Sequence, residues 1–409
     1  MHLYELPLFF ALTGVAAYAV LAGADFGAGI WQLLAGRGER GKQIRAHTHH
    51  SMSPVWEANH VWLIFVLVVL WTAYPLAFSS MSSTLAVPLF IAGLGIILRG
   101  VAYALRTATT SEAELRAIDT LSAVGSLLAP FALAAAAGAV ASLRVPVGNA
   151  EGDLFSSWLN PTSVMAGVLA VISSAYLAAV YLAADARREG KRELAATFRT
   201  RALLAGSVAG AAAIVGALVV RSDVRRTFDA LLEAPAVFSV AVSLGAGVGT
   251  LALVYLWRLE AARVTGALAV AALLGGWALA QNPVLLEGLT VKQAAAPDSL
   301  LIPLVIAIVA GGVILFPALA LLFRLALGGT FATRPQHEPR ADRERPLVSV
   351  GSGRLAVLGL AIGAPFLFFA ETGWTHAVGM AGLTVFMTLG FNFLTAGDAY
   401  ETDDTHQRG

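Results

Sequence analysis

Apolar stretches of about twenty residues follow one another along almost the whole chain, and that is the length a helix needs to cross the hydrocarbon of a bilayer. They fall near 6–34, 54–78, 80–105, 119–142, 162–184, 201–221, 235–257, 264–281, 299–324, 354–370 and 375–396, eleven in all. Backbone N–H and C=O groups in lipid have no water to bond, so such stretches close their hydrogen bonds internally, as helices. Charged residues make up 13% of the chain, about half the share of a soluble domain, and mean hydropathy is +0.74. The expectation is an all-α polytopic membrane protein.

The connecting segments orient it. Counting alternate loops, twenty-one Arg and Lys fall on one side and five on the other, with Arg99 inside a span. The positive-inside rule then places the N-terminus outside and the C-terminus in the cytoplasm. MHLYELPLFF lacks a basic leader region and its apolar run is long, so the first span reads as retained. The net charge of +1 argues against nucleic acid as a partner, and with no cysteine the chain has no disulfides or thiolate metal sites.

Three charges interrupt the apolar spans: Asp25 in LAGADFGAGIW, Glu57 in SPVWEANHVWLIF and Arg99 in IAGLGIILRGVAYALR. At 1.5 Å per residue, Asp25 lies about 28 Å below the outer start of its span, and Arg99 about 28 Å below Ser80. Glu57 is one turn inside from the opposite face, with Ser53 and Pro54 as helix-start residues. All three thus approach one depth near the cytoplasmic face, and Gly23, Gly27 and Gly29 allow close helix approach around Asp25. Intramembrane charges commonly mark a pathway, here proton uptake through Asp25, Glu57 and His60 with Arg99 as balancing charge. The same residues also fit an ion-paired triad that locks three helices.

Other polar groups point to chemistry less directly. His60 shares a helix face with Glu57 and fits a ligand, a relay or a packing residue. Only His60 and His376 lie clearly inside spans, which gives little support for a bis-histidine haem. Trp56, Trp62 and Trp71 read as packing and interface anchors. His47, His49 and His50 sit in a loop read as polar and exposed. No nucleotide-binding, zinc-protease or hydrolase motif occurs, so no catalytic residue is expected in this chain. AYAVLAGAD in the first span and AYLAAVYLAAD in the fifth echo one another, each ending in Asp ahead of a basic loop, as a tandem of four-helix units would.

GADFGAG, SPVWEANHVWLIF, WTAYPLAF, RGVAYALR, YLAADARREG and QNPVLLEGLTVKQAAAPDSLLIPL together resemble subunit II of the cytochrome bd quinol oxidases, over about residues 1–325. The resemblance implies two four-helix bundles and a ninth helix in a bacterial cytoplasmic (inner) membrane. It implies a partner, a haem-bearing subunit I that holds haem b and haem d in a heterodimer. In some members a small accessory subunit or a bound quinone is also present. The complex would oxidise quinol and reduce oxygen to water in aerobic respiration, drawing protons from the cytoplasm.

Residue by residue, Asp25 matches the family's first-span acid. Glu57 stands where many members have Asp, and Arg99 matches the arginine of the RG motif. Trp56, Asn59 and Trp62 belong to the second-span motif, while His60 departs from the acid many relatives carry there. Residues 326–353 read as a cytoplasmic linker, 354–396 as an additional two-helix hairpin outside the family pattern, and 397–409 as a cytoplasmic tail. Two other readings stand beside this one: a related oxidoreductase with b-type haems only or another electron donor, and a stand-alone secondary transporter or proton channel.

Overall fold

The computed structural model describes residues 2–36, 38–52, 56–108 and 112–327, together with 355, 357–363, 366 and 373–395. By internal contacts the chain divides into Met1–Pro317 and Ala318–Gly409.

The first unit is an all-α membrane fold. Its long helices are α1 (Leu6–Leu33), α3 (Trp56–Ala73), α5 (Ala86–Ala108) and α6 (Glu112–Ala141), then α7 (Pro161–Arg188), α8 (Arg192–Asp223), α10 (Ala236–Tyr255) and α11 (Leu259–Gln281). Between them lie the shorter α2 (Glu39–Met52), α4 (Pro75–Thr84) and α9 (Arg225–Leu231). A small antiparallel hairpin, β1 (Val284–Leu286) and β2 (Leu289–Thr290), and the one-turn α12 (Val291–Ala294) lead into α13 (Asp298–Leu327). Among the described residues eight helices are long and apolar enough to cross a membrane, and Asn59–Ala73 and Ala377–Leu389 are shorter apolar helices. Of the tenth expected span, near 354–370, residues 355, 357–363 and 366 are described; the linker lies almost entirely outside the described residues.

Helices α1, α3, α5 and α6 pack as one group and α7, α8, α10 and α11 as a second, with α1 against α7 at the seam. Gly27 makes that crossing close: a Cβ there would lie 1.9 Å from the Ser174 carbonyl oxygen, so only hydrogen fits. The core of the second group gathers Leu177, Leu182, Phe198, Val254 and Leu259, each no more than 1% exposed. Many exposed side chains of both groups, such as Phe90, Ile97 and Ile214, are large and apolar, as a lipid-facing surface requires.

Two sequence expectations change. The second span does not run through to residue 78. It stops at Ala73, because the residue before a proline is disfavoured in the helical region, and Tyr74 sits at φ −135°, ψ 61° ahead of Pro75. The Tyr74 hydroxyl then donates to the Tyr4 carbonyl at 2.6 Å and accepts the Leu8 N–H at 3.0 Å, capping the start of α1. The third span therefore begins at Ala86 rather than Ser80.

The first loop on the arginine-rich side is not an exposed polar loop either. It folds as α2, with Ile44, His47 and Thr48 buried at i, i+3 and i+4. The two buried polar members are what hid that amphipathic face in the sequence. Helix α2 touches both groups: Arg45 reaches Asp119 of α6 at 3.8 Å, and His47 Nε2 lies 3.1 Å from the Leu182 carbonyl of α7.

In the second unit residues 357–363 are helical and α14 spans Gly373–Thr395. They approach closely enough that a Cβ on Gly382 would sit 2.7 Å from the Gly363 Cα.

Candidate functional site

Arg99 organises the charged cluster. It projects from the middle of α5, flanked by Gly95 and Gly100, toward α1 and α6, and is 1% exposed. Its Nε donates to Asp25 Oδ2 at 2.8 Å and Nη2 to Asp25 Oδ1 at 2.6 Å, a two-pronged match of guanidinium to carboxylate. Nη2 also donates to the Asp25 carbonyl oxygen at 2.6 Å, and Nη1 to Ser126 Oγ at 2.6 Å and Ser122 Oγ at 3.3 Å. All five N–H donors of the side chain thus find acceptors. The Tyr103 hydroxyl, one turn further along α5, accepts from Nη2 at 3.3 Å and donates to Asp25 Oδ1 at 3.2 Å.

Such pairing is what a buried charge requires. Two ions taken out of water recover their desolvation only with good geometry and every remaining donor satisfied. Gly29, one turn past Asp25, makes the room: a Cβ there would lie 2.1 Å from Ser126 Oγ and 2.6 Å from Arg99 Nη1. Both carboxylate oxygens of Asp25 accept from Arg99.

The second-span residues abut this pair. Asn59 Nδ2 donates to the Leu21 carbonyl at 3.3 Å. His60, half-buried, places Nδ1 3.4 Å from the Tyr18 hydroxyl, with its ring centroid 5.9 Å from that of Tyr18 and 6.1 Å from that of Phe26. Trp62 packs on the cluster of Tyr18, Ala22, Phe26 and Ala129 and meets Phe65 edge to face. The backbone of Trp56 and Glu57 opens α3, which sets Glu57 one turn ahead of His60; their side chains, like that of His376, lie outside the described residues.

Further polar groups line the same end. Asp119 at the start of α6 pairs with Arg106 of α5 as well as with Arg45. His49 of α2 stacks on Tyr103, with ring centroids 5.4 Å apart. Burial, then the Arg106 guanidinium, push the His49 imidazole down to about 4. In the second group Arg263 pairs with Asp185 and donates to the Tyr181 carbonyl at 2.8 Å. The echo between the first and fifth spans thus has a counterpart: the first helix of each group carries an Asp held by an Arg in its second half. The two pairs differ in depth, 1% exposed on both sides for Asp25–Arg99 against about a fifth for Asp185–Arg263. The arginine comes from the third helix of one group and the fourth of the other.

Tyr103, Ser122, Ser126 and Asp119 were not singled out in the sequence. Asp119, Ser122 and Ser126 recur at i, i+3 and i+7, so a polar stripe along the inner half of the fourth span was there to find. Among the described residues no group of three or more His, Asp or Glu is placed to hold a metal ion.

Fold and cluster together define a polytopic helical membrane protein with a buried, hydroxyl-lined ion pair near one end of its first bundle. The model of the cytochrome bd terminal oxidase subunit II family matches residues 3–326, and the chain belongs to that family. It is 30% identical over 128 residues to cytochrome bd ubiquinol oxidase subunit 2 of Bacillus subtilis (strain 168), covering 31% of this chain and 37% of that one. It is 27% identical over 173 residues to cytochrome bd-I ubiquinol oxidase subunit 2 of Escherichia coli (strain K12), covering 40% and 44%. The chain thus spans about two fifths of the length of these curated relatives. A chain in the structure of bd oxidase from Geobacillus thermodenitrificans has the same fold, with TM-score 0.67, 24% identity, and coverage of 80% of this chain and 99% of that one.

Proposed function

We propose that this chain is the non-haem subunit of a terminal oxidase that oxidises quinol and reduces oxygen to water, paired with a haem-bearing subunit I in a bacterial inner membrane. In that complex haem b and haem d, held by the partner, supply the redox chemistry. This chain holds the partner's fold and leads protons inward from the arginine-rich, cytoplasmic side, with the N-terminus outside. A bound quinone or a small accessory subunit are further components of the same reading. Residues 1–325 form the membrane domain, 326–353 a cytoplasmic linker, 354–396 an added hairpin and 397–409 a cytoplasmic tail.

The buried Asp25–Arg99 pair beside α3 is the observation that carries the proton role. Asp25, Glu57 and His60 form the proton path with Arg99 as the balancing charge, and Glu57 precedes His60 by one turn on α3. A stand-alone transporter would place its site at broken helices near the midplane, whereas the charged cluster sits toward one end of its bundle.

Purification of the tagged chain from its own membranes tests the assignment. A co-purifying haem-bearing polypeptide and quinol-dependent oxygen consumption are expected, and haem extraction identifies the haem types. A haem-free chain with no partner would overturn the reading.

A further inference from the structure

At the arginine-rich end of the second bundle, between the end of α7 and the turn joining α10 to α11, lies a cavity of about 410 Å³. Arg187, Arg188, Trp257, Arg258 and Glu260 line it. Arg188 is spoken for, with Nη2 3.1 Å from both oxygens of Glu260. Arg187 donates to the Trp257 carbonyl through Nη1. Arg258 is exposed and makes no ion pair among the described residues. Three guanidinium groups against one carboxylate leave the cavity with two unmatched positive charges.

The turn itself is built in an unusual way. The Trp257 N–H bonds the Val254 carbonyl at 3.2 Å and the Arg258 N–H the Leu253 carbonyl at 2.8 Å, the pattern that closes a helix around a left-handed residue. Glycine normally fills that position, yet here it is Trp257, at φ +60°. Its ring is held by the Arg199 guanidinium, 4.9 Å from the centroid. An indole kept at a backbone position that disfavours side chains, on the rim of a cationic cavity, points to a role for the ring. Tyr255 and Leu256 beside it are each more than 60% exposed, which gives apolar surface next to the charges. In another cavity at this end, about 530 Å³, Glu193 faces Arg192 and Lys191, and Lys191 is paired with Glu189 at 2.7 Å, so its unmatched positive charge is smaller.

We propose that this cavity binds the phosphate of an anionic diacyl phospholipid from the adjacent leaflet. Arg187 and Arg258 take the phosphate oxygens, Trp257 lies at headgroup level, and the acyl chains run along Tyr255 and Leu256.

The test uses the purified, delipidated complex, with thermal stability followed against phosphatidylglycerol, phosphatidylcholine or inorganic phosphate. Phosphatidylglycerol is expected to stabilise it at concentrations where the other two do not. Arg258→Gln should weaken that effect about five-fold, as loss of one cation near a membrane surface does, while Arg192→Gln, an exposed arginine outside the cavity, leaves it unchanged. Trp257→Gly should fold at least as well without lipid, since glycine suits φ +60°, and still respond less to phosphatidylglycerol. Equal stabilisation by phosphatidylcholine, an equal response to phosphate alone, or equal losses in Arg258→Gln and Arg192→Gln would each overturn the proposal.

Discussion

Arg99 grips Asp25 through two parallel hydrogen bonds of 2.8 and 2.6 Å, at a place where neither side chain is more than 1% exposed. The pair ties α1 to α5, and Ser122 and Ser126 extend the tie to α6. Removing one partner strands the other charge in a medium that cannot solvate it. Asp25→Asn or Arg99→Gln should therefore each destabilise the protein by about 3–5 kcal/mol, read as a fall in Tm and in the yield of assembled complex. Arg99→Lys should rescue little, because an ammonium cannot reproduce the two-pronged geometry. The double replacement Asp25→Leu with Arg99→Met should harm stability less than either single change. A double variant as damaged as the sum of the singles would show that the two residues do not act as a pair.

Gly29 tests the same site from the packing side. A methyl group there would meet Ser126 Oγ at 2.1 Å and Arg99 Nη1 at 2.6 Å, inside contact distance of both. Gly29→Ala should lower stability by about 1–3 kcal/mol, the usual range for overpacking, and Ser126→Ala on that background should restore part of the loss. An unchanged Tm for Gly29→Ala would contradict the close packing of α1 on α6.

His49 makes the docking of α2 depend on pH. Its imidazole is held down to about 4 by burial and by Arg106, against an ordinary value of 6.5. In the unfolded chain it protonates near 6.5, so as pH falls from 6.5 toward 4 the unfolded state takes up the proton first and stability is lost; above 6.5 its contribution is complete. Hydrogen exchange along α2 should quicken through that window in the native protein, and His49→Gln should flatten the change.

Much of this was legible in the sequence, and the failures have physical causes. The apolar runs and the arginine bias between loops pointed to a polytopic helical fold because lipid allows little else. The meeting of Asp25 and Arg99 followed from depth counting, even though α5 starts six residues later than expected. Tyr74 and Pro75 broke the second span through a local backbone restriction that a hydropathy count does not register. Helix α2 went unseen because His47 and Thr48 are polar residues whose burial depends on α7, on the far side of the seam. Tyr103, Ser122 and Ser126 were missed because hydroxyls in membrane helices usually bond their own backbone. Ser126 does so too, donating to the Ser122 carbonyl at 2.6 Å while accepting from Arg99. Only the position of the guanidinium distinguishes that use.

In the proposed complex Glu57, one turn ahead of His60 on α3, passes protons inward. Quinol-dependent oxygen consumption per haem in the Glu57→Gln complex tests it most directly. A fall of roughly a hundred-fold is expected, the lower end of what a positioned proton-transfer group contributes, with haem content and Tm unchanged. Turnover equal to that of the unmodified complex at normal haem content would contradict it.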